Sequence, residues 1–176
     1  MNDLIILAML ADGPKHGYQL KRQAGLVLGQ GDMHNNLVYP LLRRFTSDGF
    51  VTKRSVPGER GQTRQMYALT ASGRRNLISR LGAFSDADAS SSVAFTARVG
   101  MFELISTAAR NHILDTREGY LQGRQQRLTQ LAEKLDLGIF GREVVRHMIE
   151  QTQSEAAWIR RLRRLSRDNE AKESAP

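Results

Sequence analysis

The sequence predicts a mainly α-helical chain carrying one small β-hairpin, and three observations predict it. Apolar residues recur at helical spacing along most of the 176 positions. Only two short stretches favour extended backbone, and both lie between residues 50 and 70 around a glycine-containing turn. A run of small residues at 86–92 separates a basic first half from a second half that is nearly balanced in charge.

Taken in order, Asn2 and Asp3 suit N-cap positions for the apolar run from Leu4 to Leu10, which Asp12-Gly13-Pro14 closes. A second helix is expected over about 16–28, after a turn that holds Pro14, with Tyr18, Leu20, Ala24 and Val27 or Leu28 available to its inner face. Gly29-Gln30-Gly31-Asp32 is loop chemistry. A third helix should start at Asn35 or Asn36, either of which suits capping, and run to Ser47 with Val38, Leu41, Leu42 and Phe45 inward. Gly49 suits the position just past its end, and Pro40 sits early enough for the helix to accommodate it. Residues 50–56 and 65–70 read as antiparallel strands joined by the basic, glycine-bearing turn 57–64. Thr70 then caps a helix from Ala71 toward Leu81. Three helices, a strand, a basic turn, a strand and a helix make the order of a winged helix-turn-helix.

The first half of the chain is therefore expected to be that domain, over 1–83, followed by a linker over 84–92. Residues 93–167 contain no strand signal and divide into helical segments at about 93–114, 116–135 and 142–167, a helical dimerisation domain in the expected layout; 168–176 are expected as a disordered tail. Leu114, Leu121, Leu128 and Leu135 recur at heptad spacing and suit a partner-helix seam, although Arg117 and Arg124 at the alternate core positions disfavour a long two-stranded coil.

Composition narrows the function classes. The chain has no cysteine, which removes disulfides, thiolate nucleophiles and cysteine-based zinc sites. It has no apolar run long enough to span a membrane and no export signal at its start, so no membrane partner and a cytoplasmic location are expected. The formal charge is +8, and residues 1–78 carry eleven Lys/Arg against five Asp/Glu, leaving fifteen against thirteen for the rest. A polyanion suits the first half and a protein partner the second.

In a helix-turn-helix the outer face of the reading helix needs short polar groups near its N-terminus. Asn35, Asn36, Tyr39 and Arg43 occupy that face when the apolar stripe points inward: Asn pairs with adenine, Arg with guanine, and Tyr reaches a phosphate or a thymine methyl. The same residues also suit plain capping and solvated roles. Lys15, Tyr18, Lys21, Arg44, Lys53, Arg54, Arg60, Thr63 and Arg64 are assigned to the DNA backbone and wing contacts, where Arg at a hairpin tip meets phosphates or enters the minor groove. His16, His34, His112 and His147 show no metal-ligand spacing, and no nucleophile elbow, phosphate-cradling glycine loop or carboxylate pair is present, so neither a metal, a cofactor nor an enzymatic activity is expected. Phe95, Met101, Phe102, Tyr120, Phe140, Met148 and Trp158 suit either a packed core or a ligand cavity.

The string Gly13-Pro14-Lys15-His16-Gly17-Tyr18-Gln19-Leu20, then Val38-Tyr39-Pro40-Leu41-Leu42-Arg43-Arg44-Phe45 leading to Asp48-Gly49-Phe50-Val51, then Tyr67-Ala68-Leu69-Thr70-Ala71-Ser72-Gly73, resembles the PadR family of transcriptional regulators. The second half resembles, more loosely, the C-terminal helical region of the longer family members. That resemblance implies dimerisation through this region, with Trp158, Ile159 and Leu162 on the closing helix joining the leucine series. It further implies a homodimer on an inverted-repeat operator in double-stranded DNA, usually as a repressor, released by a small-molecule effector or a stress signal. One departure concerns the reading helix: family members commonly carry Gly-Thr-Leu-Tyr-Pro where this chain has Asn36-Leu37-Val38-Tyr39-Pro40, so its operator is expected to differ, with Leu37 available to a thymine methyl. The alternative from another class is a protein-interaction adaptor that keeps the winged fold without specific DNA binding.

Overall fold

A helix that is apolar on all sides has to be buried on all sides. The first helix, α1 (Asn2–Ala11), buries Leu4, Ile5, Ile6, Leu7 and Leu10 and forms the centre of the first unit. The computed structural model describes residues 2–27, 33–57 and 62–173. Two units divide it, one of Met1–Ala83 with Thr96–Leu104 and one of Phe84–Phe95 with Ile105–Pro176.

In the first unit, β1 (Lys15–His16), α2 (Gly17–Val27), α3 (Asn35–Ser47), β2 (Val51–Pro57), β3 (Thr63–Leu69) and α4 (Ala71–Gly82) follow α1. Leu20 and Ala24 of α2 are buried as expected, but Tyr18 is 53% exposed. Two residues before Leu20 is about 200° around a helix, so Tyr18 cannot share that face. The expected loop at 29–32 and Leu28 lie outside the described residues. Met33 is buried, and its N–H donates to the Lys21 carbonyl (3.2 Å), which docks the approach to α3 onto α2.

Helix α3 buries Val38, Leu42 and Phe45 and leaves Leu41 half-buried. Its N-cap is His34 in extended backbone, without a side-chain cap, so neither Asn35 nor Asn36 plays the capping part expected of them. At the other end the Phe50 N–H donates to Phe45 O (2.8 Å) and the Gly49 N–H to Thr46 O (3.2 Å), with Gly49 at φ 71°. This double closure needs a left-handed residue, which glycine adopts without steric cost.

The sheet has three antiparallel strands in the order β1-β3-β2. The hairpin register runs from Val51 opposite Leu69 to Pro57 opposite Thr63, and β1 adds Lys15 opposite Tyr67 and His16 opposite Met66. The third strand is a correction: Lys15 and His16 were expected in a turn and helix start, and two residues are too few for an alternation to reveal. Apart from Val51 and Tyr67 the two long strands bury little, so beyond its base the hairpin has no apolar face committed to its own core.

Thr70 caps α4 as expected, accepting from the Gly73 N–H (3.0 Å) while its hydroxyl donates to Gly49 O (2.8 Å). A side chain at Gly73 would begin 2.1 Å from the Phe50 carbonyl oxygen, so only glycine lets α4 approach that backbone. Asp3 lies inside the first turn of α1, where it accepts from the Leu4 N–H (2.9 Å) and pairs with Arg80 of α4. Burial opposes its charge, but the Arg80 hydrogen bond and charge outweigh that and hold its carboxyl at about 2.

The second unit contains α5 (Asp86–Ser90), the first half of α6 (Ser92–Val99), α7 (Thr107–Lys134) and α8 (Ile139–Glu173). The stretch expected as a linker over 84–92 holds α5, closed by a reciprocal Ser85–Asp88 capping box, with Ala89 buried. The expected helix over 93–114 is broken: α6 ends at Val99 before Gly100, a short 3₁₀ turn spans Phe102–Leu104, and Ser106 caps α7 by accepting from the Ala109 N–H. Thr116 starts no helix; its hydroxyl donates back to His112 O (2.7 Å) inside α7. At the other extreme α8 runs to Glu173, so 168–173 are helical rather than the expected disordered tail, in keeping with the helix-favouring Glu170, Ala171 and Lys172.

Helices α7 and α8 form an antiparallel pair centred on Arg117. Its side chain is 1% exposed and grips Glu155 bidentately (Nε to Oε1 and Nη2 to Oε2, both 2.8 Å). It also donates to the Ala89 carbonyl and lies 5.5 Å from the Phe95 ring and 5.2 Å from that of Tyr120. Arg163 pairs with Asp115 (2.6 Å) and Glu118 (2.8 Å) in the same antiparallel sense.

Candidate nucleic-acid interface

Inward commitment of Val38, Leu42 and Phe45 leaves the opposite face of α3 to Asn35, Asn36, Tyr39 and Arg43, and all four are exposed. Leu37 beside them is 38% exposed, as is Tyr39. Tyr39 and Arg64 line the same hollow of about 410 Å³, together with His16, Gly17, Tyr18, Gln65 and Tyr67. A helix face and a hairpin strand therefore open on one side of the first unit. Arg43 belongs to the same neighbourhood, since Tyr67 has its pKa raised by burial first and then by Tyr39, with Arg43 opposing the shift.

Around that hollow the side chains hold one another. The His16 and Tyr18 rings stack at 5.8 Å and 12°, the Arg64 guanidinium lies 5.9 Å from the Tyr18 ring, and His16 Nδ1 is 3.2 Å from Gln65 O. The His16 N–H donates to the Gln19 side chain (2.8 Å) at the start of α2.

Lys53, Arg54 and Thr63 are exposed on the hairpin, and Lys15 and Lys21 are half-buried on β1 and α2. Arg44 differs in that its guanidinium is 3.7 Å from the Asp3 carboxylate, so part of its charge is spent within the fold. Arg60, assigned to the tip of the turn, lies outside the described residues. His16, Gly17, Gln65 and Tyr67 were not singled out from the sequence as part of this site; what joins them is the β1–β3 pairing, which carries no local signal.

In the second unit Leu114, Leu121 and Ile159 are buried within the chain, so they are consumed in its own packing and offer no free seam. Leu128, Trp158 and Leu162 are part-buried, Trp158 with its ring edge-on to Phe95 at 5.6 Å, and Leu135 is 52% exposed. Phe140 and Met148 line no internal cavity: Phe140 is 84% exposed and joins Leu131, Leu135, Ile139, Val144 and Met148 as exposed apolar residues around the turn between α7 and α8. Glu143 pairs with Arg146 on α8. Among the described residues no group of His, Asp or Glu is arranged to hold a metal, and no helix is long and apolar enough to cross a membrane.

The model of the transcriptional regulator PadR-like family matches residues 6–79, from α1 to α4. Over this stretch the chain belongs to the PadR-like family. The matched residues hold helices α1 to α4 with the small antiparallel sheet, in keeping with a winged helix, and the residues after them are helical. Among solved structures, the chain is similar to the Thermoplasma acidophilum regulator TA0346 (32% identity, 45% of this chain and 75% of that one, TM-score 0.42). It is also similar to Bacillus subtilis PadR in complex with operator DNA (21% identity, 93% of this chain and 98% of that one, TM-score 0.45). The same B. subtilis protein in complex with p-coumaric acid matches at 22% identity over 93% and 97%, TM-score 0.43. No curated protein matches the chain.

Proposed function

We propose that this PadR-like regulator binds a specific DNA sequence as a homodimer, with α3 in the major groove and the wing on the flanking backbone. The observation that carries the reading is the shared hollow: Tyr39 on α3 and Arg64 on β3 open on one side of the unit, where a single duplex can meet both. Asn35, Asn36, Tyr39 and Arg43 read base edges. Lys15, Tyr18, Lys21, Lys53, Arg54, Arg60, Thr63 and Arg64 hold phosphates and set the register, with a lesser share for Arg44 because Asp3 competes for it.

Pairing of two copies would set two α3 helices roughly 34 Å apart on an inverted repeat. The partner-facing surface is the exposed apolar set around the α7–α8 turn, with Leu128, Leu135, Trp158 and Leu162 contributing where they reach the surface. Repression by occupying the operator, and release by a small molecule, are the readings supported by family membership and by a relative captured both with operator DNA and with p-coumaric acid.

Fluorescence anisotropy with labelled duplexes from the region upstream of its own gene tests this directly. Nanomolar binding that survives an excess of random DNA is expected. Binding that random DNA abolishes equally at every duplex would favour the adaptor reading instead.

A further inference from the structure

Gly17 opens α2 and is buried, yet nothing in its backbone calls for glycine: the described glycines at positive φ are Gly13 and Gly49. What the position does require is space. A Cβ built there would stand 2.9 Å from Cε1 of Tyr39 and 3.5 Å from its Cζ and Oη. The Cε1–Cζ–Oη edge of Tyr39 lies against the position that a side chain at residue 17 would fill.

We infer that Gly17 is a specificity-determining positioning residue, whose missing side chain seats the Tyr39 ring and so fixes where its hydroxyl meets the DNA. The inference rests on the reading of α3 as the DNA-reading helix. A phenol on an exposed helix face ordinarily samples more than one rotamer. Here one edge of the ring abuts Gly17, beside a hollow that it lines together with His16, Tyr18, Arg64, Gln65 and Tyr67, so the space left by the missing side chain favours one seat for the ring before DNA arrives. Holding a contact group in its bound orientation lowers the ordering cost of binding and sharpens discrimination between bases.

A methyl at Gly17 has an easy way out, because the atom it would strike belongs to a side chain that is 38% exposed. The ring swings and the fold survives. Alanine also favours helix over glycine, so the substitution should leave the thermal midpoint unchanged or raised.

The test is a double-mutant cycle on the intact chain, using the duplex that the wild type selects from a random pool. Gly17→Ala is expected to lower affinity about tenfold and to broaden base preference, with a shift of the Tyr39 ring resonances in the free protein. In the Tyr39→Ala background the same change should have no further effect. If Tyr39→Ala weakens binding while Gly17→Ala leaves affinity, base preference and ring resonances unaltered, the positioning role is overturned and the DNA-reading role of α3 stands. If Gly17→Ala weakens binding equally with and without the Tyr39 ring, the effect does not pass through Tyr39 and the inference fails. If Tyr39→Ala itself changes nothing, the assignment of Tyr39 to readout fails and the positioning role with it.

Discussion

A guanidinium at the duplex surface releases counterions, so its removal is read from the salt dependence of binding. Arg64→Ala is expected to weaken binding at all sequences alike and to reduce the slope of log affinity against log salt by about one unit, measured by anisotropy between 50 and 300 mM salt. An equal slope in variant and wild type would remove Arg64 from the phosphate contacts. Within the fold, the decisive single residues are Gly73 and Asp3. Gly73→Ala drives a methyl into a carbonyl that cannot move away, and should cost about 2–3 kcal/mol in urea unfolding. Asp3, held at about 2 against 3.8, stabilises the native state through its ionised form; that contribution is full above pH 4 and is lost as the pH falls toward 2. Asp3→Asn should therefore be less stable than wild type by about 1–2 kcal/mol at pH 6, discounted for the exposure of Arg80, with the gap closing near pH 2. Gly49 and Thr70 were legible in the sequence because their partners lie within five residues or in an adjoining turn. Asp3 reads as a cap in the sequence because its ion-pair partner lies 77 positions away, a distance over which sequence pattern is silent.

At the scale of elements, Arg117 shows how a polar residue organises a helical unit. It stands in the heptad series where an apolar residue would be expected, and it gathers α5, α6, α7 and α8 through Ala89, Phe95 and Glu155. Arg117→Ala leaves Glu155 without its partner in a mostly dry site and should cost about 3 kcal/mol or more, whereas Glu155→Gln keeps a hydrogen-bonding group and should cost less. Thermal unfolding of both variants checks the order; equal, small losses would mean that the pair is surface-like. The helices and hairpin of the first unit were legible because each shows its own period and a turn residue at its end. In the second unit the existence of the helices was legible and their ends were not. Ser106 is one Ser or Thr among several, and only its extended backbone, with the hydroxyl accepting from the Ala109 N–H, distinguishes a cap from the mid-helix Thr116.

For the whole molecule, the dimer proposal falls on residues that no element of the chain covers. Phe140→Asp combined with Val144→Asp should leave the fold of the single chain intact by circular dichroism, since no element of that chain covers either side chain, while shifting the mass in sedimentation equilibrium from dimer to monomer. A dimer of unchanged affinity would move the interface elsewhere. The leucine spacing that suggested a seam was real, but Leu114 and Leu121 serve the chain's own α7–α8 packing; an apolar stripe does not say whether its cover comes from the same chain or another. The central proposition, that one duplex is met by the α3 tip and the wing together, is tested most directly by amide and side-chain chemical shifts of the labelled protein titrated with its selected duplex. The account predicts that Asn35, Asn36, Tyr39, Arg43, Tyr18 and Arg64 shift in concert with one saturation point. Shifts confined to the second unit, or to the wing with α3 unmoved, would contradict it.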